Sequence, residues 1–294
     1  MRRFLRRAGI GLGVLLGLLV LSGTVLYAIG SRRVDRTYAV ETARLALPTD
    51  SAGLARGAHL VRSMGCADCH GENLGGQVLV DEPPFRTVAA NLTSGRGGLA
   101  ARYTAEDFDR SIRHGVKPDG RSVLIMPSAA YHALSDEDAA ALIAYLKAAP
   151  PVDNELPPSV VRAPGRLMAA VLLDPTSEVR TTPARRGTTP PFGATVEYGE
   201  YLATGTCAHC HGSDLRGDPK PPGPPGMPPT PDLVAVAGRW TPAQFSHALR
   251  TGETPDGRAL DPEVMPWRMT AALAEDERLA VYAYLRSLAS VPGM

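Results

Sequence analysis

No charged residue interrupts the chain from Ala8 to Gly30, and Arg2, Arg3, Arg6 and Arg7 stand just before that stretch. As a helix rising about 1.5 Å per residue, it is long enough to cross a bilayer with some tilt. The Arg cluster places this end in the cytoplasm and the rest of the chain outside, although Arg32, Arg33 and Arg36 blunt the asymmetry. The competing reading is a cleaved signal peptide, with Ala28 and Gly30 as the small residues before the cut. Both readings export the chain. Polar and apolar positions then alternate with helical period in short blocks. Leu54 and Val61 share a face over 53–63, with Gly57 as a thin spot. Phe108 and Ile112 share one after the capping-box-like start Thr104-Ala105-Glu106-Asp107, and Gly115 ends that helix. Ser135 and Asp138 open a last helix with an apolar stripe through Leu142, Ile143, Leu146 and Ala149, stopped by Pro150-Pro151. Between the helices, 71–102 is Gly-rich and reads as irregular, Pro118-Asp119-Gly120 reads as a turn, and Met126-Pro127 lies in a loop.

The same pattern returns in the second half. Trp240-Thr241 answers Tyr103-Thr104, and Phe245, Leu249, Arg250 and Gly252 answer Phe108, Ile112, Arg113 and Gly115. Gly199 answers Gly57, Met265-Pro266 answers Met126-Pro127, and Tyr284-Leu285 answers Tyr145-Leu146. Thr241, Pro242 and Gln244 supply a cap, an N1 proline and a capping-box partner. So long a register indicates duplication of one domain. The pattern divides the chain into a membrane anchor or signal peptide (1–30), a tether (31–50), a first domain (51–151), a Pro-rich linker (152–194) and a second domain (195–294). The apolar run Leu167–Leu173 inside the linker is too short to span a membrane and reads as a strap packed on one domain. The halves differ between the five-residue motif described next and the middle helix, where 219–231 of the second carries eight prolines.

Cys66-Ala67-Asp68-Cys69-His70 and Cys207-Ala208-His209-Cys210-His211 consume all four cysteines of the chain. Cys-x-x-Cys-His is the attachment pattern for c-type haem. Residues at i, i+3 and i+4 share a helical face, so two thiols meet two haem vinyl groups while the imidazole reaches the iron. A lone Cys-x-x-Cys also suits a redox dithiol or half a zinc site; the following His and the repetition favour haem. Each iron then needs a second ligand or stays open. Met thioether is a soft donor that raises the potential. Met126 and Met265 each precede Pro in the loop between middle and last helices. Met269 is the rival in the second half and His132 the rival to Met126. His59, His114, His209 and His247 have no counterpart across the repeat. Tyr103, Trp240, Arg113 and Arg250 are candidate donors to a haem propionate.

Aromatic residues make up only 5% of the 294-residue chain, thin for two protein-only cores, and a haem in each would supply the missing flat apolar body. The net charge of +1 points to no nucleic-acid partner. Its distribution is uneven: 1–50 carries eight Arg against three acids, while 195–294 carries eight basic and twelve acidic residues.

Both halves resemble class I cytochrome c domains. The runs Ala90-Asn91-Leu92-Thr93, Tyr103-Thr104-Ala105-Glu106-Asp107-Phe108, Arg113-His114-Gly115-Val116, Asp119-Gly120-Arg121, Met126-Pro127 and Leu134-Ser135-Asp136-Glu137-Asp138 are similar to cytochrome c subunits of bacterial membrane-bound alcohol, gluconate and aldehyde dehydrogenases. Those subunits usually carry three haems, whereas this chain has two motifs. The resemblance implies an all-α fold of two tandem class I domains after the N-terminal transmembrane helix, with two covalently bound haem c. It makes Cys66, Cys69, Cys207 and Cys210 the attachment sites, His70 and His211 the proximal ligands, and Met126 and Met265 the distal ones. The expected function is single-electron relay between a periplasmic or membrane dehydrogenase and an oxidase or another cytochrome. The haem domains would stand on the periplasmic side of the inner membrane, with no small-molecule substrate and no catalytic residue. The alternative is a dihaem enzyme, a peroxidase or sulfur-compound oxidase, with one iron open.

Overall fold

The protein is described here from a computed structural model, which describes residues 1–172, 179–184, 187–221, 223 and 226–289. Leu173 of the predicted strap and Pro222, Pro224 and Pro225 of the proline-rich loop lie outside the described residues. Helix α1 (Arg2–Val34) carries the apolar stretch, and no part of its most apolar window is buried in the protein. It is long and apolar enough to cross a membrane by length and composition. From Asp35 the chain runs extended over the first half. Tyr38 N–H donates to Gly120 (2.8 Å), and Ala43, itself buried, donates to the Asp109 carboxylate (3.0 Å).

The first half is built from α2 (Ser51–Ser63), α3 (Cys66–His70), strands β1 (Gln77–Glu82) and β2 (Phe85–Ala89), then α4 (Ala105–His114), α5 (Ser128–Tyr131) and α6 (Asp136–Ala148). The helix starts follow the capping chemistry. Asp50 accepts from Gly53, Thr104 and Asp107 form a reciprocal capping box, and Ser135 accepts from the Asp138 N–H. Gly115 closes α4 with φ +70°. The linker adds β3 (Val160–Val161) and α7 (Ala163–Val171). The second half contains α8 (Val196–Thr206), α9 (Ala208–His211), α10 (Leu233–Arg239), α11 (Pro242–Thr251), α12 (Trp267–Ala271) and α13 (Glu275–Ala289). Its capping box, Thr241 with Gln244, and its αL cap at Gly252 repeat those of α4.

The all-α expectation needs one correction. Residues 77–89, expected to be irregular, form an antiparallel hairpin with a bulge between Val78 and Val80, and the linker's β3 pairs with β2 through Phe85↔Val161 and Arg86↔Val160. The sequence signal was present in Val78, Val80, Thr87 and Val88, β-branched residues on either side of Pro83-Pro84. The surrounding glycines and prolines obscured it.

In each half the first and last helices cross at a glycine. A Cβ on Gly57 would stand 2.1 Å from the Ala141 carbonyl oxygen, and one on Gly199 would stand 1.9 Å from that of Ala280. The thin spot of the sequence is therefore the crossing point of α2 with α6, and Gly199 is that of α8 with α13. The core packs around these crossings, with Leu60, Phe108, Ile143 and Leu146 in the first half and Leu202, Phe245, Val281 and Leu285 in the second.

The two halves pack as a pseudo-symmetric pair. α5 of the first lies against α8 and α9 of the second, and α12 of the second lies against α2. Their polar contacts repeat across the pair. Asp138 and Glu277, equivalent third residues of α6 and α13, are both buried. Asp138 accepts from Arg56 of its own half (2.8 and 2.7 Å) and from the Tyr201 hydroxyl of the other (2.7 Å). Glu277 accepts from Tyr198 of its own half (2.9 Å) and from the His59 ring of the other (2.8 Å). Arg56 also reaches Glu277 at 3.4 Å.

Candidate haem sites

Each Cys-x-x-Cys-His motif occupies a single short helical turn. Cys66, Cys69 and His70 stand on α3; Cys207 caps α9, which carries Cys210 and His211. All four cysteines are free of disulfides. Burial pushes the Cys66 thiol up to about 12 and also raises those of Cys69 and Cys207. Thiol–disulfide exchange depends on thiolate, which burial disfavours at these three positions.

The loops after the two motifs match closely. Leu74 and Leu215 adopt left-handed conformations (φ 59° and 60°), and Gly76 and Gly217 donate back to the carbonyls of His70 and His211, each at 2.8 Å. The imidazoles are held alike. His70 Nδ1 lies 2.7 Å from the Ala90 carbonyl oxygen, and His211 Nδ1 lies 3.0 Å from that of Pro231. A carbonyl only accepts, so each Nδ1 carries the proton and each Nε2 keeps its lone pair. Burial lowers both imidazole pKa values, more than the carbonyl contacts raise them. Two neutral imidazoles with fixed tautomers and free Nε2 atoms form the donor set a haem iron takes from histidine. The residues present fit a c-type haem at each motif. The halves diverge beyond this loop, within the span between motif and middle helix where the two sequences differ.

Met126 and Met265 sit in matched turns. Ser128 N–H donates to the Met126 carbonyl (2.8 Å) and Trp267 N–H to that of Met265 (2.6 Å). The intervening prolines share a conformation, with ψ 58° and 63°. These are inverse γ-turns leading into α5 and α12. Met126 is half-buried against the same core that Cys66 packs on, and Met265 is half-buried in its turn. Met269 lies elsewhere: a Cβ on Gly65, just before the first motif, would stand 3.4 Å from its sulfur. The rival methionine of the second half thus packs on the first. His132 Nδ1 donates to the Arg113 carbonyl at 2.8 Å, and its Nε2 lies 3.2 Å from the Thr182 hydroxyl.

Arg113 is buried and committed to protein partners: Asp109, Asp136 (2.8 Å) and the Leu134 carbonyl (3.1 Å). Arg250 is exposed. The structural counterpart of Arg113 is Arg278, which donates to Ser246 (2.9 Å), Glu275 (2.8 Å) and the Leu273 carbonyl. Ser246, Glu275 and Leu273 are the repeat equivalents of Asp109, Asp136 and Leu134. Sequence alignment of Arg113 with Arg250 missed this because the guanidinium moved from the middle helix to the last. Tyr103 stacks edge-on against Phe108 at 5.4 Å, and the Trp240 carbonyl accepts from Tyr282 (2.9 Å).

Two helical halves, each with a Cys-x-x-Cys-His turn and an oriented neutral imidazole, define a protein built to hold haem covalently. The cytochrome c family profile matches residues 54–150 and 196–289, and the chain belongs to that family. Membership in that family implies electron transport and the binding of haem and its iron. The chain is 26% identical over 280 residues to the cytochrome c subunit of a quinone alcohol dehydrogenase from Gluconacetobacter polyoxogenes, covering 83% of this chain and 57% of that protein. It is 31% identical over 125 residues to the fructose dehydrogenase cytochrome subunit of Gluconobacter japonicus, covering 40% of this chain and 26% of that one. It is 26% identical over 262 residues to a diheme cytochrome c-type protein of Cereibacter sphaeroides, covering 81% of this chain and 86% of its relative. The chain therefore spans about a quarter to over half of the two dehydrogenase subunits, and most of the diheme protein.

Proposed function

We propose that the chain is a membrane-anchored dihaem cytochrome c. It relays single electrons between a periplasmic or membrane dehydrogenase and an oxidase or another cytochrome. Its domains are two tandem class I units, 51–151 and 195–294, carried by α1 in the inner membrane with both on the periplasmic side. Cys66 and Cys69 hold one haem through thioethers and Cys207 and Cys210 the other. His70 and His211 are the proximal ligands, Met126 and Met265 the distal ones. A haem c, when bound, supplies an iron that takes up and gives back one electron. The chain orients each imidazole through a backbone carbonyl, keeps it neutral, and offers a soft sulfur that favours the reduced metal.

The observation that carries this reading is the duplication of the site down to single hydrogen bonds, in two halves packed so that the motifs approach each other. Met64, two residues before the first motif, reaches to 4.0 Å from where a Cβ on Gly205, two residues before the second, would stand. Such an arrangement suits passage of an electron from one half to the other. The position of Met269 against Gly65 favours Met265 as the ligand of the second half. The relatives named as dehydrogenase cytochrome subunits support a dehydrogenase as electron donor.

The distal ligands are the test. Oxidised protein should show Met-to-iron charge transfer in the near-infrared, and reduced protein should bind carbon monoxide poorly. Met126→Ala should abolish one half of that absorption, lower the potential of one haem and open it to carbon monoxide, with the haem still attached. Met265→Ala should do the same to the other, while Met269→Ala leaves both unchanged. Stoichiometric carbon monoxide binding to reduced wild type would mean an open iron, and the enzyme reading would replace the relay.

A further inference from the structure

The linker between the halves carries a surface that neither half explains. Helix α7 lies against the end of α1, and Gly30 is the contact point. A Cβ there would stand 1.7 Å from the Arg166 carbonyl oxygen and 3.3 Å from the Ala170 nitrogen. Polar contacts lock the crossing. Arg33 donates to the Ala169 and Ala170 carbonyls (2.9 and 3.1 Å), and Arg166 makes a two-pronged pair with Asp35 (2.5 and 3.1 Å). At its other end α7 is braced by the hairpin, because a Cβ on Gly165 would stand 2.2 Å from the Pro84 carbonyl oxygen. Helix α7, which carries most of the expected strap, therefore packs on α1, and its first turn packs on the β1–β2 turn of the first half.

One face of α7 is left uncovered. Leu167, Val171 and Leu172 are 38%, 63% and 78% exposed. Leu167 and Val171, spaced at i and i+4, share a side of the helix, and exposed Leu172 follows at its C-cap. Contiguous exposed apolar side chains mark a binding surface. α7 crosses the end of α1, where Val25, Tyr27 and Ile29 are also exposed. Arg32, Arg33 and Arg36, all exposed, follow within two turns. An apolar surface continuous with a candidate bilayer span, bordered by cations, matches the chemistry of an anionic lipid surface.

We propose that α7 is an interfacial membrane helix. Its exposed Leu167, Val171 and Leu172 enter the boundary between headgroups and acyl chains in the leaflet where α1 emerges, with Arg32 and Arg36 at the phosphates. This rests on the reading of α1 as an anchor. α1 supplies the attachment and α7 the orientation. Because α7 is locked to both α1 and the hairpin, the first haem domain sits at a set height over the bilayer instead of swinging on a tether.

The test uses full-length holoprotein in nanodiscs of phosphatidylethanolamine and phosphatidylglycerol. With the native cysteines held as thioethers, a nitroxide can be placed singly through Val20→Cys, Val171→Cys, Leu172→Cys or Glu197→Cys. Power saturation then compares accessibility to oxygen, which partitions into lipid, with that to a nickel chelate, which stays in water. The expected result is an oxygen-to-nickel ratio at positions 171 and 172 several-fold above that at 197 and approaching that at 20. A lipid-like signal at 20 with a water-like signal at 171 and 172 would overturn the proposal and leave the anchor intact. So would a label at 171 and 172 shielded from both reagents, which would mean a protein covers the face. A water-like signal at 20 would overturn the anchor reading itself, and this inference with it.

Discussion

Arg113 and Arg278 reach one end from different starting points. Each places a buried guanidinium against the carbonyl before its last helix and against the acidic residue that opens it. In the first half the arginine comes from the middle helix with Asp109 beneath it; in the second it comes from the last helix with Ser246 beneath it. Removing one partner of a buried pair strands the other. Arg113→Ala is therefore expected to cost about 3–5 kcal/mol, read as a lowered denaturation midpoint of the holoprotein. Arg278→Ala should also destabilise, by less, because the carboxylate of Glu275 is exposed. Arg250→Ala, at an exposed position, should change the midpoint little. A loss at Arg250 equal to that at Arg113 would show that the sequence alignment of the two was right. The same economy governs the histidines: the imidazoles of His70 and His211 are each oriented by a main-chain carbonyl twenty residues on, which a side-chain substitution leaves in place.

The crossing of first and last helices decides the shape of each half. Two helices can approach closely only where a side chain is missing, and Gly57 and Gly199 are those places. In both cases the obstacle is main chain of the facing helix, which cannot rotate aside. Gly57→Ala and Gly199→Ala must push the helices apart. Overpacking of this kind costs about 1–3 kcal/mol or more, against the small gain alanine brings to a helix interior. The expected outcome is a lower thermal midpoint for each variant with a widened haem environment, visible as a shifted absorption of the same half. A variant at least as stable as wild type would mean the crossing is looser than the packing indicates. The hairpin belongs to this scale too. Its third strand is donated by the linker, so the linker is part of the first half's framework.

At the scale of the whole molecule, the two halves are joined through a buried polar cluster. Burial alone would raise the Glu277 pKa. The His59 ring, the Ala274 N–H and the Tyr198 hydroxyl more than offset that and hold it at about 2, against 4.5 for the free side chain. A depressed carboxyl contributes stability that is complete above pH 4.5 and is lost as pH falls toward 2. The difference corresponds to about 3 kcal/mol. Wild type should therefore weaken between those two values, and Glu277→Gln, already less stable at neutral pH, should show a shallower slope there. Denaturant unfolding at a series of pH values measures it. An unchanged slope would place the acid sensitivity elsewhere. Because Arg56, His59 and Tyr201 reach across the pair, loss of this cluster should also slow electron exchange between the halves.

The local features of this protein are legible in its sequence because they depend on neighbours in the chain. Cys-x-x-Cys-His places its ligands on one turn wherever it stands. Thr104 with Asp107 and Thr241 with Gln244 cap helices through residues three apart, and the apolar run of α1 needs only its length. The repeat exposed Gly57 and Gly199 as a pair but not their purpose, which lies in a facing helix some eighty residues away. Only the tertiary structure showed that Met269 belongs against the first half, that Arg278 replaces Arg113, and that β3 and α7 bind the linker to the hairpin and to α1. Those depend on contacts between distant segments, where backbone geometry and burial, not local propensity, decide which partner each side chain meets.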